Sequence, residues 1–131
     1  MPITSMYAGL FGLVLVALSV RTLRLRRKLR IGIGHGNDPV MERAMRVHAN
    51  FCEYVPMALL LVFLLETVVG GSYWIHLLGF GLLVGRLLHA IGVSQVGEDY
   101  RYRVAGMALT FTVIISAASR ILLAHAGWIS A

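Results

Sequence analysis

The sequence predicts an all-α membrane protein, a bundle of four transmembrane helices. Of its 131 residues, 58% are hydrophobic and 14% are charged, whereas soluble domains contain about 25% charged residues. The apolar residues form long unbroken runs, which excludes the alternating strands of a transmembrane barrel. A helical span needs about 20 residues, so the chain has room for four spans at most. A soluble enzyme is therefore excluded.

The first predicted helix covers residues 3–31. Residues 6–20 carry no charge and are followed directly by RTLRLRRKLR. A signal peptide has its positive charges before the apolar segment, and here the order is reversed. We therefore expect a membrane helix whose arginine side chains extend to the headgroups at its basic end.

The second predicted helix covers residues 39–69 and follows a glycine-rich loop, IGIGHGNDP. This loop lacks the GxxxxGK[ST] pattern of a phosphate-binding loop, so a nucleotide site is not indicated. Asp38 and Pro39 occupy the positions typical of an N-cap and a first helical residue. Pro56 removes one helical hydrogen bond, so a bend is expected there.

The third and fourth predicted helices cover residues 72–93 and 104–125. Gly70 and Gly71 form the turn before the third helix, and Ser72 is its expected cap. Within that helix, Gly81 and Gly85 form a GxxxG pattern that lets another helix approach closely. The segment SQVGEDYRYR is the polar loop before the fourth helix.

The charge distribution predicts the orientation in the membrane. The net charge is +6, and eight of the twelve Lys and Arg residues lie between Arg21 and Arg46. The positive-inside rule places loops one and three in the cytoplasm and both termini outside, in an inner membrane. Aromatic residues fit this orientation, with Tyr73, Trp74 and Trp128 at the outer interface and Tyr100 and Tyr102 at the inner one.

The basic residues lie beside apolar spans and lack interleaved aromatic residues, so they indicate contact with membrane lipids and not with nucleic acid. The one cysteine, Cys52, cannot form an intrachain disulfide, and we expect it to be a buried thiol.

Polar residues inside the spans are the candidates for function, because a central charge costs about 2.5–3.5 kcal/mol on insertion scales. Four of them share one face of the second helix, at offsets of 4, 7 and 8 from the first: Arg46, Asn50, Glu53 and Tyr54. Arg86 and His89 lie one turn apart on the third helix at a similar depth. We expect the two sets to meet.

Two readings of this polar set remain open. Glu53 and Arg86 can simply neutralise each other between helices, and His89 can be a hydrogen-bonded interior histidine. Alternatively, the set binds a zwitterionic ligand that is anionic overall, with arginines on its carboxylates and Glu53 on its amine. No second histidine or cysteine lies at ligand spacing, so a metal site is not predicted. No hydrolytic constellation is evident either.

The polar residues of the second and third helices belong to two longer motifs, ERAMRVHANFCEYVP at residues 42–56 and GRLLHAIG at residues 85–92. Both resemble motifs of the MAPEG family, the membrane-associated proteins in eicosanoid and glutathione metabolism. The first is similar to the family's helix-two pattern ERxxRAxxNxxEYxP, and the second to the helix-three motif of bacterial members. With the four-span layout, the resemblance covers essentially the whole chain as one domain, residues 1–131.

The resemblance implies a homotrimer that holds glutathione between adjacent subunits near the cytoplasmic face. By this analogy the glutathione-binding residues are Arg26, Arg27, Arg46, Asn50, Glu53 and Tyr54, with Arg86 and His89 from the third helix. Family enzymes stabilise the glutathione thiolate with an arginine at the start of the fourth helix, and the best match is Arg103, with Arg101 as the second choice.

The implied activity is that of a glutathione transferase or peroxidase acting on hydrophobic electrophiles or lipid hydroperoxides. Several eicosanoid-making relatives have tyrosine where His89 stands, so leukotriene or prostaglandin synthesis is not implied. The alternative is a non-catalytic member that binds a lipid or a partner protein. A structural membrane anchor, for which the basic first loop suffices, is a third reading.

Overall fold

The computed structural model describes residues 1–97 and 99–127 and consists of four long helices. They are α1 (Ile3–Leu29), α2 (Pro39–Val69), α3 (Tyr73–Ser94) and α4 (Tyr100–His125). Each is long and apolar enough to cross a membrane by length and composition. The predicted four-span, all-α bundle is thus confirmed. Trp128, expected at the outer interface, lies outside the described residues.

The cap residues explain where the structure agrees with the predicted helix bounds and where it differs. Asp38 caps α2 as predicted, since its side chain accepts a hydrogen bond from the Met41 amide at 2.8 Å. Ser72 lies at the N-cap position of α3, but its side chain makes no capping bond. α4 begins at Tyr100, four residues before the approximate start predicted at Val104, because the Asp99 side chain caps the helix there, accepting from the Arg101 amide at 3.0 Å.

α1 ends at Leu29, two residues before the approximate end predicted at Ile31. Arg30 has a φ of 56°, and this left-handed conformation ends the helix. The Arg26 guanidinium then donates to the carbonyls of Gly32 at 3.2 Å and Gly34 at 3.0 Å. Loop one is therefore held against the basic end of α1, and we call this end of the bundle the basic end.

A hydrophobic core joins all four helices over the rest of their length. Its buried members come mostly from α2 and α3 and are Tyr7, Phe11, Phe51, Val55, Ala58, Val62, Leu65, Ile75, Leu78, Leu82, Val113 and Ala117. Many large apolar side chains on the outer faces are exposed in the single chain. Outward apolar faces of this kind are expected of a membrane protein.

Glycines allow α3 and α4 to approach at backbone contact. A Cβ atom built on Gly106 would lie 2.5 Å from the carbonyl oxygen of Gly85 and 2.6 Å from the backbone nitrogen of His89. One built on Gly81 would meet only Val113, at an ordinary 3.6 Å. Of the predicted GxxxG pair, Gly85 is thus the close-contact position, and its partner Gly106 belongs to α4.

At the opposite end, the side chain of Glu66 on α2 caps the N-terminus of α1. Pro2 precedes that helix and has no side-chain acceptor. The Glu66 carboxylate instead accepts from the amides of Ile3 and Thr4, the latter at 2.9 Å. This contact links residues more than 60 positions apart and satisfies helix donors that would otherwise be orphaned.

Cys52 is exposed in the chain, so the prediction of a buried thiol is wrong. It lies on the outward face of α2, one turn from His48, whose Nδ1 is 4.0 Å from the sulfur. His48 itself contacts Ser19 on α1 through Nε2, at 3.0 Å. An apolar residue in a membrane protein does not need to be buried in protein, because lipid can cover it.

We predict that Gly106→Ala lowers the melting temperature of the purified protein. The added methyl group would collide with backbone atoms that cannot rotate away, a form of overpacking that costs about 1–3 kcal/mol. Gly12→Ala is the matched control, because a Cβ there meets nothing within 4 Å. The close packing of α3 on α4 would be contradicted if both variants unfolded at the same temperature.

We predict that Glu66→Gln loosens the N-terminus of α1. Loss of the charged acceptor removes about 1 kcal/mol of cap stabilisation, so the Ile3 and Thr4 amides should exchange hydrogen faster. Thr67→Val, one residue away on an exposed position, serves as the control. Unchanged exchange at both amides in Glu66→Gln would refute the capping role.

Candidate functional site

A cavity of about 530 Å³ opens at the basic end, between α2, α3 and α4. Small-molecule sites have volumes of about 300–1,000 Å³, so the cavity is large enough for a small-molecule ligand. Among residues 1–97 and 99–127, the lining residues are Pro39, Glu42, Arg43, Arg46, Ala49, Asn50, Glu53, His89, Val93, Val96 and Arg103.

The structure brings together most of the polar residues that were predicted to form a site. Arg46, Asn50 and Glu53 project from α2 into the cavity, His89 joins them from α3 and Arg103 from α4. The three α2 residues share one face of that helix because their spacing of four and three residues matches the helical repeat.

Tyr54, the fourth member of the predicted face, lies beside the cavity and not in its lining. The centre of its ring is 6.0 Å from the guanidinium carbon of Arg86. On its other side the ring meets Phe111 of α4 edge to face, at 5.6 Å between centroids. Tyr54 therefore packs the α2–α4 contact next to the site.

Arg86 is buried directly beneath the cavity, with 2% of its surface exposed. Its Nη2 donates to Asn50 Oδ1 at 2.6 Å and contacts His89 Nδ1 at 3.3 Å. Its Nη1 donates to Thr110 Oγ1 at 3.4 Å and reaches the sulfur of Met107 at 3.7 Å. Nε has no hydrogen-bond partner in the described part of the chain.

The ion pair between Glu53 and Arg86, one of the two readings left open by the sequence, is not formed. Glu53 is exposed at the cavity, whereas Arg86 points inward between the helices and takes Asn50 as its closest acceptor. Within the described part of the chain, the hydrogen-bond acceptors of Arg86 are all neutral. A buried guanidinium without a carboxylate is costly in an apolar medium and favours an anion nearby.

The described part of the cavity lining carries charges of both signs. Of its described residues, three are arginines and two are glutamates, namely Arg43, Arg46, Arg103, Glu42 and Glu53, and the charge of Arg86 lies below them. Arg43 also donates to the carbonyl of Val93 at 3.1 Å, which links α2 to the end of α3. This charge pattern suits a ligand that carries carboxylates and an amine.

Arg26 and Arg27 do not line the cavity of their own chain. The Arg26 guanidinium bonds to loop-one carbonyls, and Arg27 is exposed on α1. Arg101, the second choice for the thiolate-stabilising arginine, is exposed and also lies outside the lining. Of the two candidates, the structure thus places Arg103 at the cavity. The binding roles of Arg26 and Arg27 stay predictions.

The sequence analysis missed two charged lining residues, Glu42 and Arg43. Both belong to the same helical face, since Glu42 precedes Arg46 by four residues and Arg43 precedes Asn50 by seven. Extending the polar face by one turn toward the helix start would have included them. Among residues 1–97 and 99–127, no group of three His, Cys, Asp or Glu residues is arranged to hold a metal ion.

Comparison with known proteins identifies relatives over most of the chain. The family model of the MAPEG family matches residues 4–123. The inner membrane protein YecN of Escherichia coli, in two strains, is 32% identical over 113 residues. The match covers 86% of this chain and 85% of that protein.

We predict that two substitutions of Asn50 differ in their effect on stability. Asn50→Leu removes the closest acceptor of buried Arg86 and should destabilise the protein by about 1–3 kcal/mol. Asn50→Asp is of nearly equal size, keeps an acceptor oxygen and adds the missing negative charge, so its melting temperature should equal or exceed that of the wild type. Thermal unfolding in detergent measures both, and equal losses would contradict the described role of Asn50.

Proposed function

This chain belongs to the MAPEG family, and from that premise we propose that it is a glutathione-dependent transferase or peroxidase of the inner membrane. One observation carries the proposal, namely a cavity with charged groups of both signs that opens above a buried arginine with neutral acceptors. The name of its Escherichia coli relative supports the inner-membrane location.

The residues of the cavity fit glutathione by size and by charge. The tripeptide has two carboxylates and one ammonium group, and arginine binds carboxylates in a planar, two-pronged geometry. Arg43 and Arg46 would hold carboxylates, Glu42 or Glu53 the ammonium, and Asn50 the peptide backbone. Glutathione would supply a thiol, the nucleophile for attack on an electrophile.

Arg103 is the residue we assign to thiol activation. A free thiol has a pKa near 8.5, and a nearby cation favours the thiolate, which is the attacking species. Arg103 lies in the cavity lining at the start of α4. Hydrophobic electrophiles or lipid hydroperoxides would reach the site from the lipid phase.

We further propose that the working unit is a homotrimer with the site between subunits. Arg26 and Arg27 do not line their own chain's cavity, so a binding role for them requires the α1 helix of an adjacent subunit. The exposed apolar faces of the four helices leave surface for such contacts as well as for lipid. With loops one and three in the cytoplasm, the cavity opens to the compartment that contains glutathione.

The alternative function is binding of a lipid or partner protein without catalysis. One observation favours it, because the donors of Arg26 bond to loop-one carbonyls and are not directed at the cavity. The two functions differ in whether glutathione binds and whether its thiol ionises.

We predict that adding glutathione to the purified protein raises the ultraviolet absorbance of a thiolate and that Arg103→Ala abolishes this rise and lowers turnover at least about tenfold. Arg101→Ala is the matched control, since Arg101 precedes Arg103 by two residues but lies outside the lining, and it should behave as the wild type. If neither variant differs from the wild type, the assignment of Arg103 is overturned.

Ligand-dependent stability separates catalysis from the alternative. A ligand present at 100 times its Kd stabilises the folded protein by about 2.7 kcal/mol, so millimolar glutathione should raise the melting temperature clearly. A trimer that shows no shift with glutathione would favour the non-catalytic alternative. Size-exclusion chromatography with light scattering determines the trimer independently.

A further inference from the structure

We propose that Arg86 is a positioning residue that turns Asn50 and His89 into hydrogen-bond donors toward the cavity. The sequence analysis placed Arg86 among the residues that touch the ligand, but it lies beneath the lining and touches two lining residues instead. The proposal rests on the proposed function only for the identity of the ligand. The orientation of the two side chains is a property of the protein alone.

The argument begins with the chemistry of the guanidinium group. It carries five N–H donors, has no acceptor and remains protonated in proteins. Every polar atom that meets Arg86 must therefore accept. Arg86 is buried and packs beside the ring of Tyr54, so its guanidinium is held in one place. Its N–H groups therefore point at fixed neighbouring atoms, and those atoms must be acceptors.

Asn50 satisfies this demand with its amide oxygen, 2.6 Å from Nη2. The two ends of an amide group differ, since the oxygen accepts and the nitrogen donates. Fixing the oxygen on Arg86 directs the NH₂ group of Asn50 away from the arginine. Asn50 lines the cavity, so this group is presented there.

His89 is constrained in the same way, because its Nδ1 lies 3.3 Å from the same Nη2. An Nδ1 that accepts from a guanidinium carries no proton, so the neutral ring has its proton on Nε2. His89 also lines the cavity. Its Nε2 is accordingly a donor on the edge of the ring remote from Nδ1.

Thr110 on α4 also acts as an acceptor toward Arg86. Its hydroxyl donates to the carbonyl of Gly106 at 2.8 Å, which leaves its oxygen to accept from Nη1 of Arg86. Gly106 is the same residue that allows α4 to touch α3. In each of these hydrogen bonds the guanidinium is therefore the donor, and the acceptors lie on α2, α3 and α4.

The consequence is a defined polarity of the cavity. Donors from Asn50 and His89 lie at its buried end, above the charge of Arg86, while Glu42 and Glu53 are exposed in the lining. A ligand would place an anionic or strongly accepting group at the buried end and its amine toward the glutamates. For glutathione, the buried group would be a carboxylate or the sulfur.

The first test measures the tautomer of His89 without any ligand. In ¹⁵N-histidine-labelled protein, the nitrogen chemical shifts distinguish Nε2–H from Nδ1–H, and His89→Phe identifies the His89 signals among the five histidines. We expect the Nε2–H form in the wild type and a mixture of forms in Arg86→Met. A wild-type Nδ1–H or doubly protonated ring overturns the proposal, even if Arg86→Met fails to fold.

The second test uses Asn50→Asp, which keeps an acceptor for Arg86 but lacks the donor toward the cavity. Glutathione affinity, measured by calorimetry on the folded variant, should fall at least about tenfold. Cys52→Ser, a conservative change two residues away at an exposed position outside the lining, should retain wild-type affinity. Wild-type affinity in Asn50→Asp would overturn the donor role of Asn50.

The two tests also separate this proposal from the proposed function. If the wild type binds no glutathione, the function fails while the tautomer measurement still decides the role of Arg86. If glutathione binds with wild-type affinity to Asn50→Asp and the tautomer does not depend on Arg86, the positioning role fails and the function stands.

Discussion

The burial of one guanidinium within the helix bundle is the constraint on which the rest of the basic end depends. Arg86 lies almost fully covered by protein, in a segment long and apolar enough to cross a membrane. A charge in such a place requires several acceptors at hydrogen-bond distance. Asn50, His89 and Thr110 supply them from three different helices, so the position of Arg86 defines how α2, α3 and α4 meet.

The glycine contact between α3 and α4 makes this arrangement possible. Backbone contact at Gly85 and Gly106 draws α4 close enough for Thr110 to reach the arginine of α3. The same contact between α3 and α4 therefore both packs the bundle and positions residues of the site. A change that separates the two helices would also remove acceptors from Arg86, so stability and ligand binding are coupled here.

The opposite end of the bundle uses a carboxylate for a purely structural purpose. Glu66 of α2 closes the N-terminus of α1, and the hydroxyl of Tyr7 donates to the carbonyl of His76 at 3.0 Å. Between the two ends lies an apolar core whose buried members carry no charge. The bundle thus has a capped end and a charged end with a cavity, which suits binding from one side of a membrane.

The sequence by itself determined the number of helices, the location of the polar face on α2 and the caps that follow local rules, such as Asp38. These features depend on periodicity and on neighbours within one turn, so they can be read along the chain. Only the tertiary structure decided that Asn50, and not Glu53, would be the partner of Arg86, that Glu66 would cap a helix more than 60 residues away, and that Cys52 would face outward. Each of these outcomes depends on how helices rotate against one another. That rotation is set by packing at sites such as Gly85, which the GxxxG pattern indicates, and Gly106 on α4, to which no local pattern points.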